Sequence, residues 1–205
     1  TGVTDIDAQS RGTDIDARHL TALELLTNNT YANATYNNPS DPQIYSAAFI
    51  EDEYIKFRDY VQAQFLSQTL FKEEFAKIKL QLNNRFTGLE MDSTAFTAYL
   101  DELYTKDIYS YALLVNTANN LMQYVGVNSA FKSALSEKAA QCVFSSAANE
   151  TLHKGSEDNI YIFHKGHGQD IVTDANAPTT NKLVFKGALA ADLSLEKAGN
   201  DLIIH

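Results

Sequence analysis

Cysteine is nearly absent. Cys142 is the single one, so no disulfide closes within the chain and a disulfide-built scaffold is excluded. Basic residues are few as well: 16 Lys and Arg stand against 26 Asp and Glu, for a formal net charge of -10 and a pI of about 4.8. Binding nucleic acid needs clustered cations that release counterions from phosphate, so nucleic acid is not an expected partner. No uncharged apolar run reaches the roughly 18 residues of a membrane-spanning helix, and no basic-then-apolar leader opens the chain. The sequence begins at Thr1 and stops at His205 directly after an apolar run, which points to a piece of a longer protein. Catalytic signatures are also lacking. There is no G-x-S-x-G elbow, P-loop or dinucleotide fingerprint. His164 and His167 form an H-x-x-H spacing interrupted by Gly166, with no third zinc ligand and no nucleophile beside them. No enzyme is expected.

What is present starts with a short duplication, Thr4-Asp-Ile-Asp-Ala8 and Thr13-Asp-Ile-Asp-Ala17. Its alternate carboxylates resemble the start of an EF-hand loop, but the sixth-position glycine and the closing Glu are missing. The simpler reading is a solvated lead-in that ends in a helix N-cap at Asp14 or Asp16. Leu20, Leu23 and Leu26 then line one helical face up to Asn28-Asn29.

After a polar loop over 33–40, Asp41-Pro42 offers an N-cap followed by proline at the first helical position. No Gly or Pro occurs again until Gly88. Tyr54, Phe57, Val61, Phe65, Phe71, Phe75, Ile78 and Leu82 keep a spacing of three to four residues, which predicts one long helix with an aromatic core stripe. A third helix is expected from Ser93 to a stop at Gly126, and a fourth over 129–148 with Cys142 as a buried packing thiol. Helices of this length need mutual burial, so an antiparallel helical bundle is expected.

Beyond Glu150 the period changes. Asn159–Phe163, Ile171-Val172, Leu183–Phe185, Leu193–Leu195 and Leu202–Ile204 read as short strands between Gly, Asn, Asp and Pro. Gly199 and Asn200 suit a tight hairpin between the last two. The fold class is therefore α+β, with a helical bundle over 1–150 and a small β-roll and hairpin region over 151–205.

Gly166-His-Gly-Gln-Asp-Ile-Val172 reads as G-x-G-x-D-x-U with U apolar, the centre of the nonapeptide that builds parallel β-rolls. Glycines free the turn and turn carbonyls inward, Asp170 supplies a hard carboxylate, and Val172 starts a strand. The neighbouring turn, Lys154-Gly-Ser-Glu-Asp-Asn-Ile-Tyr161, fits the same frame with Glu157 in place of a glycine and Asn159 in place of the aspartate. Candidate calcium ligands are thus Gly166, Gly168 and Asp170, faced by Gly155 and Asn159.

The stretches Gly155–Phe163, Gly166–Asp170, Leu183–Phe185 and Gly199–Ile204 resemble the haemolysin-type calcium-binding related domain that accompanies RTX repeats in exoproteins of Gram-negative bacteria. Upstream, His19–Thr27 and Tyr60–Thr69 resemble helical segments that precede such repeats in FrpC-like, iron-regulated RTX proteins. The resemblance implies type I secretion, an extracellular location, calcium-triggered folding, and a role in toxicity, adhesion or bacterial competition. Beside calcium, a protein receptor or outer-membrane partner is the partner class considered, through the aromatic-rich helices. The chain itself is expected to be a monomeric, non-catalytic segment. Two alternatives stand beside this: a self-processing module acting at Asp41-Pro42, and a helical partner-binding module, which an exposed aromatic cluster would mark.

Overall fold

A computed structural model describes residues 14–31, 44–85, 87–124, 129–153, 158–173, 180–199 and 201–205. The fold is α+β, and the chain divides into two compact units, Thr1–Phe65 and Leu66–His205.

In the first unit, helix α1 (Ala17–Thr27) starts at Asp16, whose carboxylate accepts from the Arg18 N–H at 2.8 Å. It ends where Asn28 turns left-handed at φ 52. Leu20 and Leu23 are buried with Ile15 against Ala47 and Ile50 of α2 (Ile44–Gln68). Leu26, expected on the same face, is exposed. His19 Nδ1 meets Glu51 Oε1 at 2.7 Å while its ring stacks on Tyr54 at 3.9 Å, fixing α1 on α2. Asp41-Pro42 lies outside the described residues.

The long helix expected to run to Gly88 stops at Gln68. A single turn, α3 (Lys72–Phe75), follows, and then an antiparallel hairpin of β1 (Lys79–Leu82) and β2 (Leu89–Asp92). Asn83 is the local cause: its side-chain oxygen accepts from the N–H groups of Arg85 and Thr87, and its own N–H bonds Gly88 O at 2.9 Å. The expected aromatic stripe divides accordingly. Phe71 is buried and Phe75 and Ile78 pack on the core of the second unit, whereas Phe57, Val61, Phe65 and Leu82 are exposed.

The expected third helix is two. Asp107, extended at φ -149 and ψ 90, ends α4 (Thr94–Lys106) and caps α5 (Ile108–Met122) by accepting from the Ser110 N–H. Gly126, the expected stop, lies outside the described residues. The fourth helix, α6 (Ser129–Ala140), ends eight residues short of Ala148, and Cys142 opens a strand instead of lying on a helix. Cys142 is buried there.

Five short strands follow: β3 (Cys142–Phe144), β4 (Thr151–His153), β5 (Ile160–His164), β6 (Ile171–Thr173) and β7 (Lys182–Lys186). They alternate between two parallel sheets, β3-β5-β7 and β4-β6. Cys142 pairs with Ile160 and Ile160 with Lys182, while Thr151 pairs with Ile171. The β-period decides the packing. Cys142, Ile160, Ile162 and Val184 face the helices and join Phe96, Leu100, Leu114 and Phe131 in one core. Tyr161 and Leu152, on the inward side, are buried as well. The chain closes with a 3-10 turn (Ala190–Asp192) and an antiparallel hairpin of β8 (Leu195–Ala198) and β9 (Asp201–Ile204), turning at Gly199 with φ 65. The strand expected over Leu193–Leu195 thus lies two residues later.

Candidate functional site in the stacked turns

Because consecutive strands belong to different sheets, each turn lies over the turn two strands earlier. The segment 165–170 stacks on 145–150, and the segment around 158–159 faces 180–181. Parallel backbones leave N–H and C=O groups at the strand entries, and buried ones need partners. Side chains supply them reciprocally. Asn149 Oδ1 accepts from the Gln169 N–H at 2.7 Å, and Asp170 Oδ1 accepts from the Glu150 N–H at 3.0 Å. On the other side Asp158 Oδ1 accepts from the Thr180 N–H at 2.7 Å, and Asn181 Oδ1 accepts from the Asn159 N–H at 3.0 Å. The same two positions before each strand therefore form the same two-way clasp at both ends of the stack.

Gly166 and Gly168 serve this geometry in different ways. Gly166 takes φ +89, open to solvent, where an L side chain is strained. Gly168 has no such φ. Its need is closeness: a Cβ there would run into Asn149 Oδ1 and lie 2.8 Å from Ala148 O. The glycine thus lets the upper turn settle on the lower.

Of the sequence-derived calcium candidates, Gly166, Gly168 and Asp170 share one turn. Asn159 lies at the opposite end of β5, about 15 Å away at roughly 3.3 Å per residue, and faces Asn181 instead. Gly155 lies outside the described residues. Asp170 is clasped instead to 145–150, a turn whose own side-chain oxygens are the Asn149 amide, which accepts from the Gln169 N–H, and the Glu150 carboxylate, whose Oε2 accepts from the Ser146 N–H at 2.7 Å. Adjacency in sequence pointed to 155–159 because it is the nearest repeat. The pairing partner is one strand further back, and the polar pair Asn149-Glu150 was its available signal. Among the described residues no three His, Cys, Asp or Glu side chains group as a metal set.

The histidines have a partner that sequence reasoning missed. Ser145 Oγ lies 2.5 Å from His167 Nδ1 and also donates to Ile162 O at 3.2 Å. Ser145 is buried, and the pair ties turn to strand. His164 lies with its ring 5.0 Å from that of His167 and edge-on to Tyr109, over which Lys186 Nζ sits at 4.4 Å. Burial, aided by His167 and Lys186, holds the His164 imidazole below its ordinary pKa.

The chain matches no family model, no curated protein and no solved structure.

Proposed function

We propose that this chain is a non-catalytic structural and binding segment of a large type I-secreted RTX-family exoprotein, with residues 142–186 as its roll. The observation that supports this best is the winding of the strands. They begin at 142, 151, 160, 171 and 182, at steps of nine or eleven residues, and alternate between two parallel sheets. A nonapeptide half-turn produces the first two steps of nine, and the two later steps are two residues longer, the first of them holding Gly166–Asp170, which keeps the G-x-G-x-D core of the repeat.

Calcium enters this reading at one pair of turns. Asp170, Glu150 and Asn149 offer the hard oxygens calcium takes, but fewer than the six to eight it fills, and each already accepts a backbone N–H. The ion would therefore exchange with the clasp. Titration by calorimetry and circular dichroism, with magnesium as control, tests this using two variants. Asp170→Asn keeps the acceptor and removes the charge; Asp170→Ala removes both. Saturable calcium binding in the parent and its loss in Asp170→Asn, with an unchanged fold, supports calcium at this turn. A response that persists in both variants sinks it, and no response in the parent leaves the roll structural without calcium.

A second reading has its own observation. Phe49, Phe57, Val61 and Phe65 recur at four- or eight-residue steps along α2 and are all exposed. Such an apolar stripe fits a helical partner-binding module for a receptor or outer-membrane partner. Replacing Phe57 and Phe65 by Ser should leave stability unchanged while abolishing adsorption to outer-membrane preparations. Adsorption that survives both substitutions would count against this reading.

A further inference from the structure

Two sheet edges end the winding. Strand β7 is last in β3-β5-β7 and β6 is last in β4-β6, and no further described strand pairs with either. Lys182 donates to Asn159 O and Ile171 to Glu150 O, so the N–H groups one residue on, at Leu183 and Val172, point to the open side. Leu183 is also exposed at the uncovered end of the inner layer.

The sequence that follows repeats the pattern of what precedes. β5 and its turn, Ile160-Tyr-Ile-Phe-His followed by 165–170 and Ile171, superpose in sequence on Lys182-Leu-Val-Phe-Lys followed by 187–192 and Leu193. Phe163 matches Phe185 and Asp170 matches Asp192. The next interval, 196–201, has the same length as 145–150, 154–159 and 165–170, and it ends in Asp201 before the apolar Leu202-Ile-Ile204. Asp192 and Asp201 therefore occupy the clasp position held by Asp170 and Asn181.

In the hairpin these residues gain little. Leu195, Leu202 and Ile203 are exposed, Asp192 closes only its own turn by accepting from the Leu189 N–H at 3.1 Å, and a two-stranded hairpin alone is marginal in water. We propose that residues 187–204 have a second way to fold, as a further parallel turn that closes both open edges. Leu193–Leu195 then pairs with β6 and Leu202–Ile204 with β7. The Asp192 carboxylate accepts from the Asp170 N–H and the Asp201 carboxylate from the Asn181 N–H, and Ile203 covers Leu183. Ser194 is the one position that brings a polar side chain inward, and it keeps the hairpin competitive. The segment is thus a strap that shields or frees the edge strands. This goes beyond the functional reading above: it rests on register and turn length, and it holds whether or not the turns take calcium.

Two measurements on the full chain test it. In a Cys142→Ser background, Val172→Cys with Ser194→Cys marks the docked strap, and Leu195→Cys with Ile204→Cys marks the hairpin. Crosslinking of the first pair under mild oxidation is the expected result; its staying reduced while the second pair closes overturns the proposal. Independently, the amides of Val172, Leu183 and Phe185 should exchange at least about tenfold more slowly in the parent than in Ile203→Asp. Unprotected exchange at these amides in the parent, or equal rates in the two proteins, overturns it as well.

Discussion

At the residue scale, the two glycines of the 165–170 turn give opposite tests. Gly168→Ala places a methyl group against the Ala148 carbonyl, backbone that cannot swing aside, and should cost about 1–3 kcal/mol as overpacking. Gly166→Ala meets open space but keeps φ +89, so its cost is conformational, about 1–2 kcal/mol. Urea midpoints measure both. His164 carries a pH prediction. Its folded pKa is lowered by burial, with His167 and Lys186 adding to the effect, so the folded state favours the neutral ring. Stability from this group is complete above the ordinary imidazole range near pH 6.5 and falls as pH drops through it toward the lowered value. The urea midpoint should therefore fall between pH 7.5 and 5.5, and it should fall less in His164→Gln. Equal losses in the two proteins would place the effect elsewhere.

At the scale of elements, legibility followed the origin of each signal. The strands at 160–164, 171–173, 182–186 and 201–204 were readable because short runs of β-prone apolar residues sit between Gly, Asn, Asp and Pro. The cap at Asp16 and the turn at Gly199 carried local chemistry as well. The helix breaks were not readable, because apolar residues three to four apart continue straight across them. Phe71, Phe75, Ile78 and Leu82 fit one helix as a list, yet Ile78 precedes a strand and Leu82 lies in it. Asp107 broke the next run by a cap that a continuous helix would waste: its carboxylate takes the Ser110 N–H and hydroxyl, and these bonds hold its pKa below the usual carboxylate value. Asp107→Ala should cost about 1 kcal/mol at pH 7. That difference should vanish as acid protonates the carboxyl, because the contribution is present above the ordinary Asp pKa and is lost as pH falls through the lowered one. The clasps escaped sequence reading for another reason. Parallel pairing joins residues 149 to 169 and 159 to 181, a separation that no local motif exposes.

At the scale of the whole molecule, the second unit puts helices and strands around one core. Ile162 is fully buried on the helix-facing side of β5 and belongs to the same cluster as Leu114, Val115 and Phe131. Ridges of α5 and α6 thus lean on a sheet that is itself held by side-chain clasps, so neither layer buries its apolar face alone. Cooperativity follows from this arrangement. Ile162→Ala removes packing atoms shared by both layers and should cost about 2–5 kcal/mol. Native-state hydrogen exchange reads where that loss is felt. If helices and sheet open together, amides of α5 and of β5 accelerate by the same factor, between about thirtyfold and a few thousandfold for that range. Acceleration confined to β5 would mean that the strands open on their own, and that the shared core does not bind the two layers into one cooperative unit.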